Sequence, residues 1–195
     1  MSNNKLTPIE KLTAPVVYIP NFLERPEADE MLADLWANLP WMDIRQARRE
    51  SWMNDFDAEY TYSEGRGEQT YPAQPWYPSL KALQGRVEAV QGRYSACFVN
   101  GYANERNALG FHSDDSPTIN QAEPIAVISL GAERRISFRP IADPDPELIE
   151  TIILGHGSLA LFQPGMQSTH RHGIPKHDRP CGPRVSLTYR DLKPV

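Results

Sequence analysis

The heptapeptide Arg184-Val185-Ser186-Leu187-Thr188-Tyr189-Arg190 alternates strictly: extended, it puts Val185, Leu187 and Tyr189 on one face and Arg184, Ser186, Thr188 and Arg190 on the other. An apolar face opposite a polar one is the pattern of a strand packed on one side. It is the last of several short runs rich in β-branched and aromatic residues, at 94–102, 125–130, 135–139, 150–154, 158–163 and 184–190, separated by turn residues. Such spacing predicts a β-sandwich or barrel.

Upstream the texture is helical. Within 26–39, Leu32, Leu35, Trp36 and Leu39 recur at helical spacing behind a proline and acidic residues suited to a helix start. A second helix follows Pro78, with Leu80, Leu83, Val87 and Val90 on one face and Gly92 near its end. Trp36 and the leucines read as core. The fold class is therefore α+β, mainly β, with the helices leading. The least regular stretches, 65–78, 142–146 and 173–183, read as surface loops, where function often sits.

With 195 residues, 40% hydrophobic and 23% charged, the chain fits one globular domain over 1–195. No apolar run approaches the roughly 18 residues of a membrane span. Residues 1–10 lack the apolar core and cleavage site of a secretory signal, so a cytoplasmic location without a membrane partner is expected. Cys97 and Cys181 stand far apart, outside any C-x-x-C pair, and read as unpaired thiols in a reducing compartment. The net charge of −5 argues against a protein held to nucleic acid by bulk charge, while leaving room for a local basic patch.

Among five histidines, His112 has the sharpest context, Gly110-Phe111-His112-Ser113-Asp114-Asp115. In an extended piece His112 and Asp114 point the same way. A further histidine from 169–173, either His170 or His172, would complete a two-histidine, one-carboxylate triad that leaves three positions open on a non-haem Fe(II). Alone, a His-x-Asp is better explained as a surface loop carrying Asp114 and Asp115. The last strand changes the balance. Arg184 and Arg190 share a face with Cα atoms roughly 20 Å apart at about 3.3 Å per residue, and their long side chains can lean together. Guanidinium forks match carboxylates, so two of them beside a metal suit a co-substrate with an acid at each end. Without the metal motif, a solvated or salt-bridged strand face would explain the arginines.

With these residues in place, the chain resembles the AlkB-type Fe(II) and 2-oxoglutarate-dependent dioxygenases, which remove alkyl lesions from nucleic acid bases. Four blocks carry the resemblance in order: Tyr60-Thr61-Tyr62-Ser63, Asn100-Gly101-Tyr102, His112-Ser113-Asp114-Asp115, and His172-Gly173-Ile174-Pro175 followed by 184–190. They cover about positions 45 to 191. The resemblance implies a double-stranded β-helix (jelly-roll, cupin-like) core over 94–191 with N-terminal helices packed on one side. It further implies an N-terminal strand and helix in 1–44 and a nucleotide-recognition region in 45–78. It makes His112, Asp114 and His172 the iron ligands and catalytic centre. Arg190 becomes the partner of the 2-oxoglutarate carboxylate beside the keto group, and Arg184 with Tyr102 the partners of the distal one. Asn100 adds a hydrogen bond to the co-substrate. The family usually has an aromatic residue where His170 stands, so His170 is expected in the pocket or behind the ligands. His156 is expected to be structural, and His177 to lie on the surface. Two departures stand out: Ser186 occupies a position usually held by Asn, and Gly101 one often held by Arg.

Substrate contacts implied by the resemblance are Tyr60, Tyr62 and Asp115, with Trp52 or Met53 at the base-stacking position. Arg45, Arg48 and Arg49, and Arg171, Lys176 and Arg179, offer phosphate contacts or a solvated basic loop. The implied reaction uses Fe(II), 2-oxoglutarate and O2 to demethylate 1-methyladenine or 3-methylcytosine type lesions, releasing formaldehyde, succinate and CO2. The expected partner is single-stranded or damaged DNA, or RNA, bound by a monomer. Two alternatives share the evidence. The same iron chemistry could act on a protein side chain, a small molecule or a deliberately modified base. A non-enzymatic nucleic-acid-binding module could keep a metal for stability alone, although a structural metal has no need of the Arg184 and Arg190 cradle.

Overall fold

The computed structural model describes residues 12–45, 48–63, 68–143 and 145–193. In chain order its elements are β1 (Val16–Ile19), α1 (Arg25–Asn38), β2 (Met42–Arg45), β3 (Arg48–Asn54), β4 (Tyr60–Ser63), β5 (Glu68–Tyr71) and α2 (Pro78–Glu88). There follow β6 (Ala96–Tyr102), β7 (Leu109–His112), β8 (Ile125–Gly131), β9 (Arg134–Pro140), β10 (Glu150–Leu154), β11 (Ser158–Phe162), the short α3 (Met166–Thr169), β12 (His170–Ile174) and β13 (Arg184–Arg190).

Prolines set the helix limits. Tyr77 is extended because Pro78 follows it, and Pro78 then opens α2 at a position where no N–H is needed. Leu39 is extended because Pro40 follows it, and α1 stops there. No helix among the described residues is long and apolar enough to cross a membrane.

Three antiparallel sheets form, in the orders β1-β11-β8-β13-β6-β3-β2, β10-β9-β12-β7 and β4-β5. The first two are the sheets of the jelly roll, whose N-terminal helices pack on the outside of the larger one. Strand alternation separates the two faces of that larger sheet. Cys97, Val99, Ile128, Leu161, Val185 and Leu187 face the helices, where they join Leu35, Leu80, Leu83 and Val87. Each fully buried leucine or valine there contributes about 1.5–3 kcal/mol by leaving water. The opposite face looks toward the smaller sheet, and Val127, Ala160 and Phe162 meet Ile136, Phe138 and Ile174 there.

Beside those apolar contacts runs a polar row: Glu50, Asn100, Ser129, Arg184, Ser186 and Arg190 all point inward and all are buried. A core that carried only packing would not contain it. The six β-rich runs of the sequence appear as β6, β8, β9, β10, β11 and β13, with ends shifted by at most two residues. Strands β2 to β5, β7 and β12 lack the alternating signal. In β3 buried charge, Arg48 and Glu50, replaces apolar residues, and the loops foreseen at 65–78 and 173–183 contain β5 and the end of β12.

Candidate active site

Strand β7 ends at His112, and its neighbour β12 places His172 directly opposite. Cross-strand partners sit side by side, and here the two imidazole centroids are 4.3 Å apart. The pairing is close because residue 173 is glycine. A Cβ on Gly173 would lie 2.9 Å from the Leu109 carbonyl oxygen and 3.1 Å from the Gly110 carbonyl carbon, both backbone atoms.

Asp114 lies past the end of β7 and is held by side chains in place of a strand ladder. Its N–H donates to Gln167 Oε1 at 2.8 Å, and its carbonyl accepts from Gln121 Nε2 at 2.8 Å. The carboxylate then meets both imidazoles: His112 Nε2 is 3.7 Å from Oδ1 and His172 Nε2 is 3.9 Å from Oδ2. One ligand atom from each of His112, Asp114 and His172 lies within 4.8 Å of the others, and all three residues are buried.

Protonation favours metal ligation. His112 Nδ1 is 2.9 Å from the Gly110 carbonyl, which can only accept, so the proton sits on Nδ1 and the Nε2 lone pair faces the cluster. Burial, helped by His112, holds the His172 imidazole near pKa 3 and so neutral. Burial would raise Asp114, but Arg190, followed by His112 and His172, outweighs it and brings the carboxyl down to about 2. Two imidazoles and a carboxylate are the donor set that a non-haem Fe(II) takes, so the residues fit that ion.

The arginines flank this cluster. Arg190 donates from Nη2 to Asp114 Oδ1 at 2.6 Å, while its buried Nε and Nη1 make no hydrogen bond among the described residues. Arg184, fully buried, donates to the Ser129 hydroxyl at 2.8 Å and to the Ser186 hydroxyl at 3.3 Å, and its Nη1 makes no hydrogen bond among the described residues. Burial pushes Arg184 down to about 10, against the pull of Tyr102, so it remains a cation at neutral pH. A cavity lined by Asn100, Tyr102, His172, Arg184, Ser186 and Arg190 joins the two guanidiniums. Orphaned donors at both ends of one cavity fit a small dicarboxylate.

A second cavity shares His112, Asp114, Asn100 and Arg190 and is walled by Tyr60, Tyr71 and Phe98. Tyr60 stacks on Trp52 with ring centroids 5.0 Å apart, and the Arg190 guanidinium carbon lies 5.3 Å from the Tyr60 ring centre. Trp52 is buried behind this wall, donating its indole N–H to the Ala58 carbonyl. Met53 points to the other face of β3, into the helix-side core, and so away from the cavity. Asp115 is exposed. The Tyr62 backbone pairs with Gln69, but its side chain, like that of Arg45, lies outside the described residues.

Several other expectations acquire definite positions. His170 sits apart from the cluster, its ring nitrogens at 3.2 Å from Thr13 Oγ1 and 2.9 Å from Thr169 Oγ1. His156 accepts the Gly131 N–H and faces Asp29 on α1, which pins a turn to a helix. His177 bonds within its own loop. Arg48 is buried, so it forms neither a phosphate contact nor a solvated loop, while Arg49, half-buried, lies over the Trp36 and Trp41 rings. Glu50, Tyr71, Phe98, Leu109, Gln121 and Gln167 join the site unannounced. Of these, Phe98 could have been found from the sequence, since it shares the strand parity of Asn100.

The sequence profile of the 2OG-Fe(II) oxygenase superfamily matches residues 15–190, and the chain belongs to that superfamily. Within it the similarity is of the AlkB type. The alpha-ketoglutarate-dependent dioxygenase alkB homolog 3 of Homo sapiens is 30% identical over 92% of this chain and 66% of its own length. The DNA oxidative demethylase ALKBH2 of Mus musculus is 31% identical over 76% of this chain and 63% of its own length. The chain thus spans just under two thirds of these relatives. Among solved structures, OsALKBH1 superposes with a TM-score of 0.65 at 15% identity, covering 92% of this chain and 99% of that one. A 2OG-Fe(II) oxygenase family oxidoreductase from Burkholderia pseudomallei gives 0.55 at 18% identity, covering 90% and 82%. The superfamily's Fe(II), 2-oxoglutarate and O2 are the cofactor and co-substrates of a dioxygenase with this site.

Proposed function

We propose that the chain oxidatively demethylates alkylated bases of the 1-methyladenine and 3-methylcytosine type in DNA or RNA, releasing formaldehyde, succinate and CO2. The observation that carries this reading is the aromatic wall of Tyr60, Tyr71 and Phe98 on the cavity that also exposes His112 and Asp114. A flat heteroaromatic ring stacks on such a wall and presents a ring substituent to the ligand cluster. The names of the relatives, one of them a DNA oxidative demethylase, support a nucleic acid substrate.

Fe(II) held by His112, Asp114 and His172 would supply oxidation of the methyl C–H bond by O2, coupled to decarboxylation of 2-oxoglutarate. The protein's own groups do the rest. Arg190 and Arg184 hold the two ends of the co-substrate, and Asp114 keeps Arg190 turned toward it. Burial of the cluster keeps bulk water from the reacting carbon. The hydroxylated methyl group on a ring nitrogen is an unstable carbinol, which loses its O–H proton, breaks its C–N bond and leaves as formaldehyde. A base reaches so buried a centre only after leaving the helical stack, which favours single strands and damaged pairs.

Mass spectrometry tests this directly on single-stranded DNA oligonucleotides carrying 1-methyladenine or 3-methylcytosine. The protein is loaded anaerobically with Fe(II), then given 2-oxoglutarate and air. Loss of one methyl group matched by one succinate is expected. Succinate without demethylation would move the search to RNA, other modified bases or proteins, and absence of both products would overturn the enzymatic reading.

A further inference from the structure

We infer that Arg48 and Glu50 are positioning residues for the co-substrate: together they fix the side-chain amide of Asn100 so that its NH2 group serves the cavity. This rests on the reading of Asn100 as a 2-oxoglutarate contact. The geometry is a buried chain across two strands and a hairpin. Arg48 Nε donates to Asn100 Oδ1 at 2.8 Å. Arg48 Nη2 lies 2.6 Å from Glu50 Oε1. The Tyr71 hydroxyl, from the β4–β5 hairpin, donates to Glu50 Oε2 at 2.9 Å. Glu50 is wholly buried and Arg48 nearly so.

A guanidinium N–H can only donate, so the Asn100 atom facing Arg48 must be its carbonyl oxygen. The amide nitrogen is thereby turned away from β3, and it makes no hydrogen bond among the described residues. Asn100 lines both the dicarboxylate cavity and the aromatic-walled one. An amide in this orientation offers N–H donors to an anion. Flipped, it would offer a carbonyl oxygen and repel one. Arg48 thus decides the sign of the interaction at Asn100.

Glu50 is required because an unpaired guanidinium at this depth would be too costly to hold. A buried ion pair seldom adds net stability over apolar packing, so stability alone does not account for one placed beside the co-substrate cavity.

Calorimetric titration of the Mn(II)-loaded protein with 2-oxoglutarate tests the inference, with thermal unfolding as the check on folding. The variant Arg48→Met/Glu50→Gln removes both charges together and leaves Tyr71 a partner. It is expected to raise the Kd for 2-oxoglutarate about tenfold, the effect of one hydrogen bond to a charged group. Asn100→Ala should raise it comparably, and adding the pair of changes to Asn100→Ala should do nothing more, because Arg48 acts through Asn100. An unchanged Kd in the folded pair variant, or an equal further loss in the Asn100→Ala background, overturns the inference. Should the pair variant be recovered unfolded, Glu50→Gln alone carries the same comparison with a smaller loss. A wild-type protein that binds Mn(II) but no 2-oxoglutarate would remove the co-substrate reading itself, a result distinct from failure of the positioning role alone.

Discussion

His112, Asp114 and His172 are three residues from two strands and a loop, and each is prepared differently to bind a metal. A carbonyl fixes the His112 tautomer, burial keeps His172 neutral, and Arg190 keeps Asp114 ionised. Removing a group that merely supports a ligand typically costs about 10–100-fold in metal affinity. His112→Ala, Asp114→Ala and His172→Ala are therefore expected to lose more than about 100-fold in Fe(II) or Mn(II) affinity. His170→Ala should bind metal as the wild type does, since its ring nitrogens are engaged with Thr13 and Thr169. Metal titration of the four variants checks this, and loss in His170→Ala with retention in His172→Ala would reverse the ligand assignment. That His112, Asp114 and His172 converge was legible through the family resemblance, since His-x-Asp alone favoured a surface loop. The choice between His170 and His172 was not a matter of spacing, since both lie on one face of β12; register against β7 decides it.

Elements matter to the site chiefly through one seam. Among the described residues strand β7 pairs with β12 alone, across an irregularity between His172 and Ile174, and the seam closes because Gly173 has no side chain. Gly173→Ala would set a methyl group 2.9 Å from a backbone oxygen. Since backbone cannot rotate aside, β7 must move out, carrying His112 from His172. The expected outcome is a folded protein, destabilised by about 1–3 kcal/mol as for an overpacked core site, whose metal affinity falls further than its stability explains. Denaturant unfolding beside metal titration separates the two effects. Strand β7 itself was hard to foresee, because Leu109-Gly110-Phe111-His112 is short and its glycine weakens the strand pattern. By contrast β13, β8 and β11 announced themselves, since each turns alternate apolar residues onto the helices. The hairpin β4–β5 and strand β3 remained illegible because distant partners, Tyr71 for Glu50 and Asn100 for Arg48, satisfy their buried polar groups, and local sequence carries no trace of such partners.

For the whole molecule, the inward polar row is a cost carried by the ligand-free state. Arg184 and Arg134 are both buried against Tyr102, and among the described residues neither has a carboxylate partner. Arg134 instead spans the carbonyls of Asn107 and Pro175, each at 2.7 Å, and so closes two loops over the distal end. Anything that neutralises this end should stabilise the fold. At 100 times its Kd, a ligand specific to the folded state adds about 2.7 kcal/mol. For a chain of this size that corresponds to a rise in Tm of roughly 5–10 °C. Thermal unfolding of the Mn(II)-loaded protein with saturating 2-oxoglutarate should show such a rise, and a monocarboxylate such as acetate should not reproduce it.

The order of the smaller sheet gives that observation a direction. Strand β7 is one of its two outermost members, with a neighbour on one side only among the described residues, and it carries His112 while β12 carries His172. An ion held by both histidines would bridge this edge of the barrel. Metal loading would then fasten the same edge that it arms, and removing the ion should loosen that edge first.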